Sequence, residues 1–461
     1  MKKNKTGGDV VDAGGFGCVF EPDLKCVGQT TTTPNTISKL MSEKHANEEL
    51  REITIIKERV QHIPNYQEFF LLDNINICKP SPLSSSDLVN FDKRCKPLVK
   101  RDITARNINE SLDDLRVLNM PHGGIPVDDF IQKASSQDKL FVLGQSLKDL
   151  LIRGIVPMNK SHVFHSDIKD SNVLVGLDLK TRLIDWGLSV DYIPHQNNTF
   201  PRTWRNRPLQ YNSPFSIILF SDMFVEQYSS YLKSGGTKKG LRKFVSNYIY
   251  SWLQKRGLGH YNFINDIMYI LFSRDITKSG NKREIVEIEY TLIYITDYLV
   301  YILENFTTFK PEGSFKIRKY LDNVFIHIVD MWGFIAVYCP LLEFLNTNYD
   351  VLSDTQHQMF ELLKTIFLKH LYSPRIIPNN LGELVSDIDV LNNLLEDEIS
   401  TAKSIARGVK LKFKRSKLRR NSSLVIFKRT RKNRNIKHGL VHKNTKTNRK
   451  PKTKTTPKYK K

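Results

Sequence analysis

The amino-acid sequence predicts an α+β protein of two lobes, with a small, mainly β N-lobe and a large, mainly α C-lobe that has a helical insertion and a disordered basic tail. Short strand-like segments alternate with turns before residue 42. Helical periodicity dominates residues 242–345. The final segment, residues 401–461, contains 24 Lys or Arg and no acidic residue. At 461 residues, the chain is long enough for both lobes and the tail.

Residues 165–172, HSDIKDSN, combine a base and a cation in one loop. Asp167 is a carboxylate of a type that is ionised at neutral pH, so it can accept the proton of an attacking hydroxyl. Lys169, two residues further on, can contact a phosphoryl group. We therefore predict both as catalytic residues for phosphoryl transfer, a reaction that depends mainly on positioning and charge neutralisation.

Two oxygen-bearing side chains follow at defined intervals. Asn172 lies five residues after Asp167 and Asp185 lies eighteen residues after it. Both supply hard oxygen atoms of the kind that Mg²⁺ (or Mn²⁺) binds. Residues 172–175 and 181–184 are typical of two short strands joined by a turn. Such a hairpin brings Asn172 and Asp185 to one edge, so we predict them as metal ligands.

These motifs resemble the catalytic loop H-R-D-x-x-x-x-N and the metal-binding D-F-G turn of protein kinases. Lysine two residues after the base is usual in kinases that act on Ser or Thr, so the resemblance implies a bilobal Ser/Thr protein kinase that uses ATP and Mg²⁺. Ser166 replaces the arginine that commonly pairs with a phosphorylated activation loop, and NSPF at residues 212–215 replaces A-P-E. We hypothesise that activity does not require phosphorylation of this loop.

The substituted motifs are similar to those of Ser/Thr kinases from large nucleocytoplasmic DNA viruses, over roughly residues 8–395. The phrases IPNY at residues 63–66, PMNK at residues 157–160 and DMWGF at residues 330–334 contribute to this likeness. The resemblance implies a viral, intracellular protein, located in the host cytoplasm or in the virion.

In the predicted N-lobe, residues 12–20, DAGGFGCVF, resemble the glycine-rich loop that covers the phosphates of ATP. Glycine lets backbone amides approach phosphate oxygens without an intervening side chain. Asp12 replaces the first glycine of the G-x-G-x-x-G pattern, so this motif alone is a weak signal. The resemblance implies ATP-binding roles for Ala13, Gly14, Gly15, Phe16, Gly17 and Val19.

The strand predicted at residues 36–41 resembles the kinase strand whose lysine holds the α and β phosphates of ATP. The resemblance implies that role for Lys39. Its apolar neighbours suit a buried strand that turns one charged side chain into a cleft.

The helix predicted at residues 47–60 resembles the one that presents a glutamate to this lysine. We predict Glu52 as the partner, because Ile55 and Ile56 follow it at helical spacing. Glu49, one turn earlier, is the alternative. The remaining glutamates of the helix are expected to be solvated.

Residues 115–124, LRVLNMPHGG, resemble the hinge between kinase lobes. The resemblance implies that Leu118 limits the adenine pocket and that Met120 also contributes to ATP binding. Pro121 falls where a backbone N–H normally meets adenine, and proline has none. Either the register shifts by one residue, or fewer hydrogen bonds hold the base.

The longest apolar run, residues 323–345, contains polar residues that a membrane span would not accommodate cheaply. We predict a buried central helix there and no transmembrane segment. Residues 329–334, VDMWGF, resemble the motif D-x-W-S-x-G. The resemblance implies that its aspartate, Asp330, supports the catalytic loop through backbone hydrogen bonds.

Asp330 lies 145 residues after Asp185, much further than is usual in kinases, which implies a large insertion. We place it at residues 215–319, with helices at residues 242–255, 261–272 and 285–306, and assign no chemistry to it.

The five cysteines are odd in number and lack metal-like spacing, so we predict free thiols in a reducing compartment. Cys18 is expected to be a small buried thiol. The first eight residues are basic and polar, so we predict no signal peptide.

The basic tail accounts for the net positive charge of the chain. The formal net charge is +22, and 24 cations lie in residues 401–461, so the remainder sums to about −2 (22 − 24). Few apolar residues interrupt the tail, so we predict disorder. Nucleic acid or another polyanion is the expected partner. Anionic membrane and nuclear import are alternatives.

The predicted organisation has six parts. They are an N-terminal extension (1–7), the N-lobe (8–120), the first part of the C-lobe (121–214), the insertion (215–319), the rest of the C-lobe (320–400) and the tail (401–461).

The resemblance implies transfer of the ATP γ-phosphoryl group to Ser or Thr hydroxyls of protein substrates, whose identity the sequence does not give; the oligomeric state is likewise open. One alternative is a catalytically weak pseudokinase or scaffold. Asp12, Pro121 and the missing A-P-E triplet favour it, and the intact set Lys39, Asp167, Asn172 and Asp185 argues against it. A second alternative is a small-molecule kinase, but Lys169 favours a protein substrate. A third is a basic-tailed nucleic-acid-binding virion protein, which would explain only the tail.

Overall fold

A computed structural model describes residues 9–408, apart from residues 135–136, 197–199, 310–312 and 378–379. The α+β class is confirmed, with small antiparallel sheets in the N-terminal part and helices in most of the rest. The predicted extension (1–7) lies outside the described residues.

The largest sheet has five antiparallel strands in the order β1-β2-β3-β5-β4, and helix α1 follows β3. Two short helices, α2 and α3, precede β5. The elements are β1 (Asp9–Ala13), β2 (Gly17–Glu21), β3 (Thr36–Ser42), α1 (Glu43–Val60), β4 (Asn76–Cys78), α2 (Phe91–Arg94), α3 (Lys96–Val99) and β5 (Leu115–Pro121).

The register of this sheet aligns three predicted site residues in one row. Lys39 on β3 lies opposite Val19 on β2 and opposite Leu118 on β5. At the start of β2, a Cβ atom on Gly17 would lie 2.6 Å from the carbonyl oxygen of Leu40. Only glycine therefore allows β2 to approach β3 so closely at this point.

The middle of the chain forms two smaller antiparallel sheets, β6-β8-β9 and β10-β7, among short helices. The predicted hairpin is present as β8 and β9. The elements are β6 (Ile125–Pro126), α4 (Val127–Lys133), α5 (Gln137–Asp149), α6 (Val156–Lys160), β7 (Val163–Phe164), β8 (Val173–Val175), β9 (Thr181–Leu183) and β10 (Val190–Asp191).

Helices make up nearly all regular structure after residue 200. The three helices predicted in residues 242–306 are present within α8, α9 and the stretch from α10 to α11. The elements are α7 (Asp222–Lys233), α8 (Lys238–Arg256), α9 (Tyr261–Phe272), α10 (Lys282–Val286), α11 (Leu292–Phe306), α12 (Ile317–Tyr320), α13 (Ile326–Ala336), α14 (Cys339–Thr347), α15 (Asp354–Ile366) and α16 (Leu381–Gly408).

The buried apolar side chains form two clusters. One lies on the five-stranded sheet and includes Val10, Phe20 and Leu40 together with Phe91 and Leu98 of the short helices. The larger cluster joins the buried face of α1 to the helices of the rest of the chain. Helix α1 therefore follows the sheet directly in sequence, but its buried face packs in the larger cluster.

The apolar run predicted as a buried helix is buried. One helix among the described residues, Ile317–Thr347, is long and apolar enough to cross a membrane by length and composition, and 94% of its most apolar window is buried inside the protein. It comprises α12, α13 and α14.

The prediction of free thiols is wrong for four of the five cysteines. Cys18 is joined to Cys95 and Cys26 to Cys78, while Cys339 is free and buried. The partners are 77 and 52 residues apart in sequence, so their pairing depends on how β2, the α2–α3 junction and β4 pack. The reducing compartment inferred from free thiols loses its support.

The predicted start of the disordered tail is also wrong. Helix α16 continues through Gly408, eight residues past residue 400. The segment TAKSIARG at residues 401–408 is rich in residues with high helix propensity and ends in glycine, which commonly follows helices. The tail beyond it, residues 409–461, lies outside the described residues.

The disulfide assignment predicts the number of reactive thiols. Protein unfolded without reductant in the presence of iodoacetamide should be alkylated once, at Cys339, whereas protein reduced first should be alkylated five times. Intact-mass measurement counts the adducts. Three or five adducts without reductant would contradict the assignment.

Candidate active site

The loop between β7 and β8 is fixed by one buried carboxylate from α13. Asp330 Oδ2 accepts the backbone N–H of His165 (2.8 Å), and its Oδ1 accepts that of Ser166 (2.7 Å). Asn159 Nδ2 also donates to Oδ2 (2.7 Å). Burial raises the pKa of Asp330, although its electrostatic interaction with His165 and the hydrogen bonds from Ser166 and Asn159 act in the opposite direction. The backbone contacts implied for Asp330 are therefore present.

Asp167 is held on both carboxylate oxygens. Oδ2 accepts hydrogen bonds from Lys169 Nζ (2.7 Å) and Asn172 Nδ2 (3.0 Å). Oδ1 accepts one from Asn212 Nδ2 (2.9 Å), and Arg207 Nη2 lies 3.8 Å from it. The three hydrogen-bond donors and the nearby guanidinium come from two separate segments of the chain.

The surroundings of Asp167 favour its ionised form. Burial raises its pKa, but the charge and hydrogen bond of Lys169, the hydrogen bond of Asn212 and the charge of Arg207 together outweigh burial. The net result is a pKa below the ordinary value for aspartate. Asp167 is thus a carboxylate that is only 4% exposed and negatively charged at neutral pH.

The hairpin places Asn172 and Asp185 at the same end. Val173 pairs with Leu183, and the N–H of Ile184 donates to the carbonyl of Asn172 (3.0 Å). Asp185 follows with φ of 66°, a left-handed conformation that turns the chain sharply after the strand. The predicted ligands therefore lie beside the last hydrogen bond of the hairpin.

The donor set at this end fits a hard divalent cation. Asp185 is exposed. The amide nitrogen of Asn172 is engaged with Asp167, so its oxygen is the atom that can bind a cation. Within the described part of the chain, no cluster of three or more His, Cys, Asp or Glu forms a metal site, so a cation here would take its remaining ligands from elsewhere.

Lys39 pairs with Glu49, and the prediction of Glu52 is wrong. Lys39 Nζ donates to both carboxylate oxygens of Glu49, at 2.7 and 2.6 Å. Glu52 is exposed.

The phase of α1 explains this outcome. Its buried residues are Ala46, Ile53, Ile56 and Val60. Glu49 falls on this stripe, three residues after Ala46 and four before Ile53, and Glu52 does not. The prediction treated Ile55 as a core residue, but its side chain is 40% exposed.

The glycine-rich turn lies next to Lys39. The N–H of Gly14 donates to the carbonyl of Gly17 (3.0 Å). A Cβ atom on Gly14 would lie 3.9 Å from Lys39 Cε. The side chain of Phe16, at the tip, is 57% exposed and its ring stacks on His45 of α1 with 4.6 Å between centroids. Ala13 and Val19 lie on the flanking strands.

Strand β5 continues through Pro121, which pairs with Thr36, and Met120 pairs with Ile37. Leu118 is buried. The N–H of His122 donates to the carbonyl of Asn35 (2.8 Å), so it is already engaged. A shift of register that brought His122 to the position of Pro121 would therefore not supply a free N–H.

Several residues that were not predicted contact the loop at residues 165–172. Tyr211 OH donates to Asp170 Oδ1 (2.7 Å), and burial, followed by the charge of Asp128, raises the pKa of Asp170 to about 6. Arg207 and Asn212 reach Asp167 from the same segment. They lie 40 and 45 residues from Asp167, and no local pattern marks them.

The predicted insertion contacts the segment that lies beside this loop, at Leu209 and Tyr211. The N–H of His260 donates to the carbonyl of Leu209 (2.9 Å), and its ring lies 5.4 Å from that of Tyr211. Burial lowers the pKa of His260 to about 4, and the nearby charge of Lys169 contributes in the same direction. His260 is therefore neutral at pH 7.

No protein-family model matches the chain, and no curated protein sequence matches it.

Gly333 of α13 offers a test of how closely the helix supports the loop. A Cβ atom there would lie 2.7 Å from the carbonyl oxygen of Ile168 and 2.8 Å from its Cβ. Gly333→Ala should therefore displace the loop and lower the free energy of unfolding in urea by about 1–3 kcal/mol.

The matched control is Gly382→Ala, near the start of α16. Its nearest neighbour would be the side-chain oxygen of Asn380, at 3.3 Å, and no other atom of the described residues would lie within 4 Å apart from the adjacent backbone of the chain. This change should be neutral or stabilise by about 0.5–1 kcal/mol. Equal urea midpoints for the two variants would show that Gly333 is not a close-packed contact.

Proposed function

We propose that the chain is a bilobal Ser/Thr protein kinase that transfers the γ-phosphoryl group of ATP to hydroxyls of protein substrates. The observation that supports this most is the convergence on Asp167 of Lys169 Nζ and Asn172 Nδ2, with Asp185 at the same end of the hairpin. A base, a cation and two oxygen ligands then lie in one place, as phosphoryl transfer requires.

The arrangement of the sheet supports a nucleotide site in the N-lobe. Lys39 is paired with Glu49, which holds its ammonium group in a defined position. The glycine-rich turn is adjacent to it, and Leu118 lies opposite it on β5. In this proposal, Lys39 contacts ATP phosphates, the turn supplies backbone N–H donors, and the residues near Leu118 and Met120 contact the base through few hydrogen bonds.

The chain's own residues would perform the transfer as follows. Asp167 accepts the proton of a substrate Ser or Thr hydroxyl while that oxygen forms a bond to the γ-phosphorus. The bond between the γ-phosphorus and the β–γ bridging oxygen breaks, and ADP leaves with those electrons. Lys169 neutralises charge on the transferred group. Asn172 and Asp185 would hold Mg²⁺, which when bound neutralises phosphate charge.

The viral and intracellular assignment remains a proposal that the motif substitutions alone support. Ser166 in the catalytic loop, Trp186 in place of the D-F-G phenylalanine and the motif DMWGF at residues 330–334 are the features concerned.

Asp167→Asn should test the proposed base. With γ-labelled ATP and a mixed Ser/Thr protein substrate, we expect the rate constant for transfer to fall about a hundredfold or more, because the amide cannot accept the proton. The Kd for Mg–ATP should change little, because Asp167 is not assigned to nucleotide binding.

The matched control is Asp178→Asn, in the exposed turn at the other end of the β8–β9 hairpin, which should transfer at the wild-type rate. Nucleotide binding without transfer by the wild type would favour the pseudokinase alternative. Transfer to a small metabolite but not to protein would favour the small-molecule alternative. Absence of nucleotide binding would rule out the proposal.

We also propose that the basic tail binds nucleic acid or another polyanion. The charge partition supports this, because residues 401–461 hold 24 cations and no acidic residue. Deletion of residues 409–461, which leaves α16 intact, should abolish retention on immobilised DNA at low salt and spare kinase activity. For the full chain, retention should fall steeply as salt rises, because counterions are released on binding. Unchanged retention after deletion would contradict this.

A further inference from the structure

We propose that Arg207 is a positioning residue that fixes residues 201–213 on the catalytic loop and compensates the charge of Asp167, so that the enzyme is active without phosphorylation of this segment. The inference rests on the proposed kinase function. In this proposal, Arg207 supplies the positive charge that Ser166 does not provide.

Ser166, which directly precedes the proposed base Asp167, carries no positive charge. Ser166 is buried, with φ of 62°, and its hydroxyl accepts a hydrogen bond from Trp204 Nε1 (2.8 Å). A phosphate group on the segment would therefore find no arginine at this position. The donor that does contact Ser166 is a side chain of the segment.

Arg207 is buried, with an exposed fraction of 6%. Its Nη1 donates to the carbonyl of Ser166 (2.9 Å), and its Nε donates to Gln210 Oε1 (2.9 Å). Two of its nitrogens are thus fixed by the catalytic loop and by its own segment. A buried guanidinium is costly unless a negative charge lies near it, and the adjacent negative charge is Asp167.

The third nitrogen of Arg207 is the informative one. Its Nη2 is buried, has no hydrogen-bond partner among the residues that the structure describes, and lies 3.8 Å from Asp167 Oδ1. That separation is too long for a hydrogen bond, but attraction between opposite charges persists at it. Arg207 therefore compensates the carboxylate without occupying an oxygen lone pair, which leaves Asp167 able to accept a proton.

Neighbouring residues fix the same segment with groups that belong to the chain. Asn212 Nδ2 donates to Asp167 Oδ1 (2.9 Å) and is 3.2 Å from the carbonyl of Ile168. Trp332 Nε1 of α13 donates to the carbonyl of Tyr211 (2.8 Å). The segment is thus held against the catalytic loop and α13 by buried hydrogen bonds between groups of the chain itself.

Arg207→Met and Arg207→Lys, with Arg205→Met as the control, test this role. Arg205 is exposed, and its Nε donates to Asp222 at 2.8 Å, so it shares the segment but not the site. We expect kcat of Arg207→Met to fall about ten- to a hundredfold, because a misplaced base loses rate steeply. KM for ATP should stay within about twofold, because Arg207 does not contact the nucleotide site.

Arg207→Lys should lie between wild type and Arg207→Met in kcat, because it keeps the charge and loses the planar arrangement of donors. Arg205→Met should match wild type. Wild-type enzyme treated with a phosphatase should keep its rate. A positioning role predicts this split between kcat and KM, whereas a merely structural role would lower the folded fraction and leave kcat per nucleotide-binding site unchanged.

The inference is overturned by wild-type kcat in Arg207→Met, or by loss of wild-type activity after phosphatase treatment. If Arg207→Met does not fold, Arg207→Lys decides, with reduced kcat and unchanged KM for ATP in support and wild-type kcat against. If the wild type is active and Arg207→Met has the wild-type kcat, this inference is wrong and the proposed function stands. A wild type that transfers no phosphoryl group removes it together with the proposed function.

Discussion

The carboxylate of Asp330 is the constraint on which the candidate site depends. It lies inside the largest core and accepts N–H groups from two consecutive residues of the loop at residues 165–172, together with the amide of Asn159. Burying a carboxylate is costly unless donors satisfy its oxygens, so the loop and α13 can pack together only in this arrangement. Gly333, one turn further along α13, permits the helix to touch the backbone of Ile168. The position of Asp167 thus follows from a contact between a helix and a loop more than 160 residues apart in sequence.

Helix α1 connects the Lys39–Glu49 ion pair to the loop at residues 165–172. The stripe of α1 that includes Ile53, Ile56 and Val60 packs in the cluster that contains Ile168. The segment after α1 then joins the hairpin, because the N–H of Leu183 donates to the carbonyl of Phe69 (2.8 Å). Glu49 lies on the buried stripe, so the orientation of α1 sets both the Lys39 pair and the packing beside the hairpin. A rotation of α1 would disturb the two together.

Features that depend on neighbouring residues could be predicted from the sequence. The hairpin that carries Asn172 and Asp185 and the helices of residues 242–306 follow from local periodicity and turn residues. The sequence does not distinguish Glu49 from Glu52 as the partner of Lys39, because the two lie three residues apart on one helix. Only the full set of buried positions shows which side of α1 faces the core. The disulfides, Arg207 and His260 had no local signal. Each depends on segments that only the tertiary fold brings together.

The charges around Asp167 explain why its distant neighbours matter. Lys169 and Arg207 place two cations near one carboxylate, and Asp330 lies close enough to interact electrostatically with Arg207. A charged His260 would add a third positive charge near Asp167, but burial keeps its imidazole neutral. The predicted insertion therefore places a neutral imidazole near Asp167, and a backbone hydrogen bond joins it to Leu209. Because Leu209 lies in the same segment as Arg207, the predicted insertion contacts the segment that brings this second cation to Asp167, although no motif in it suggests chemistry.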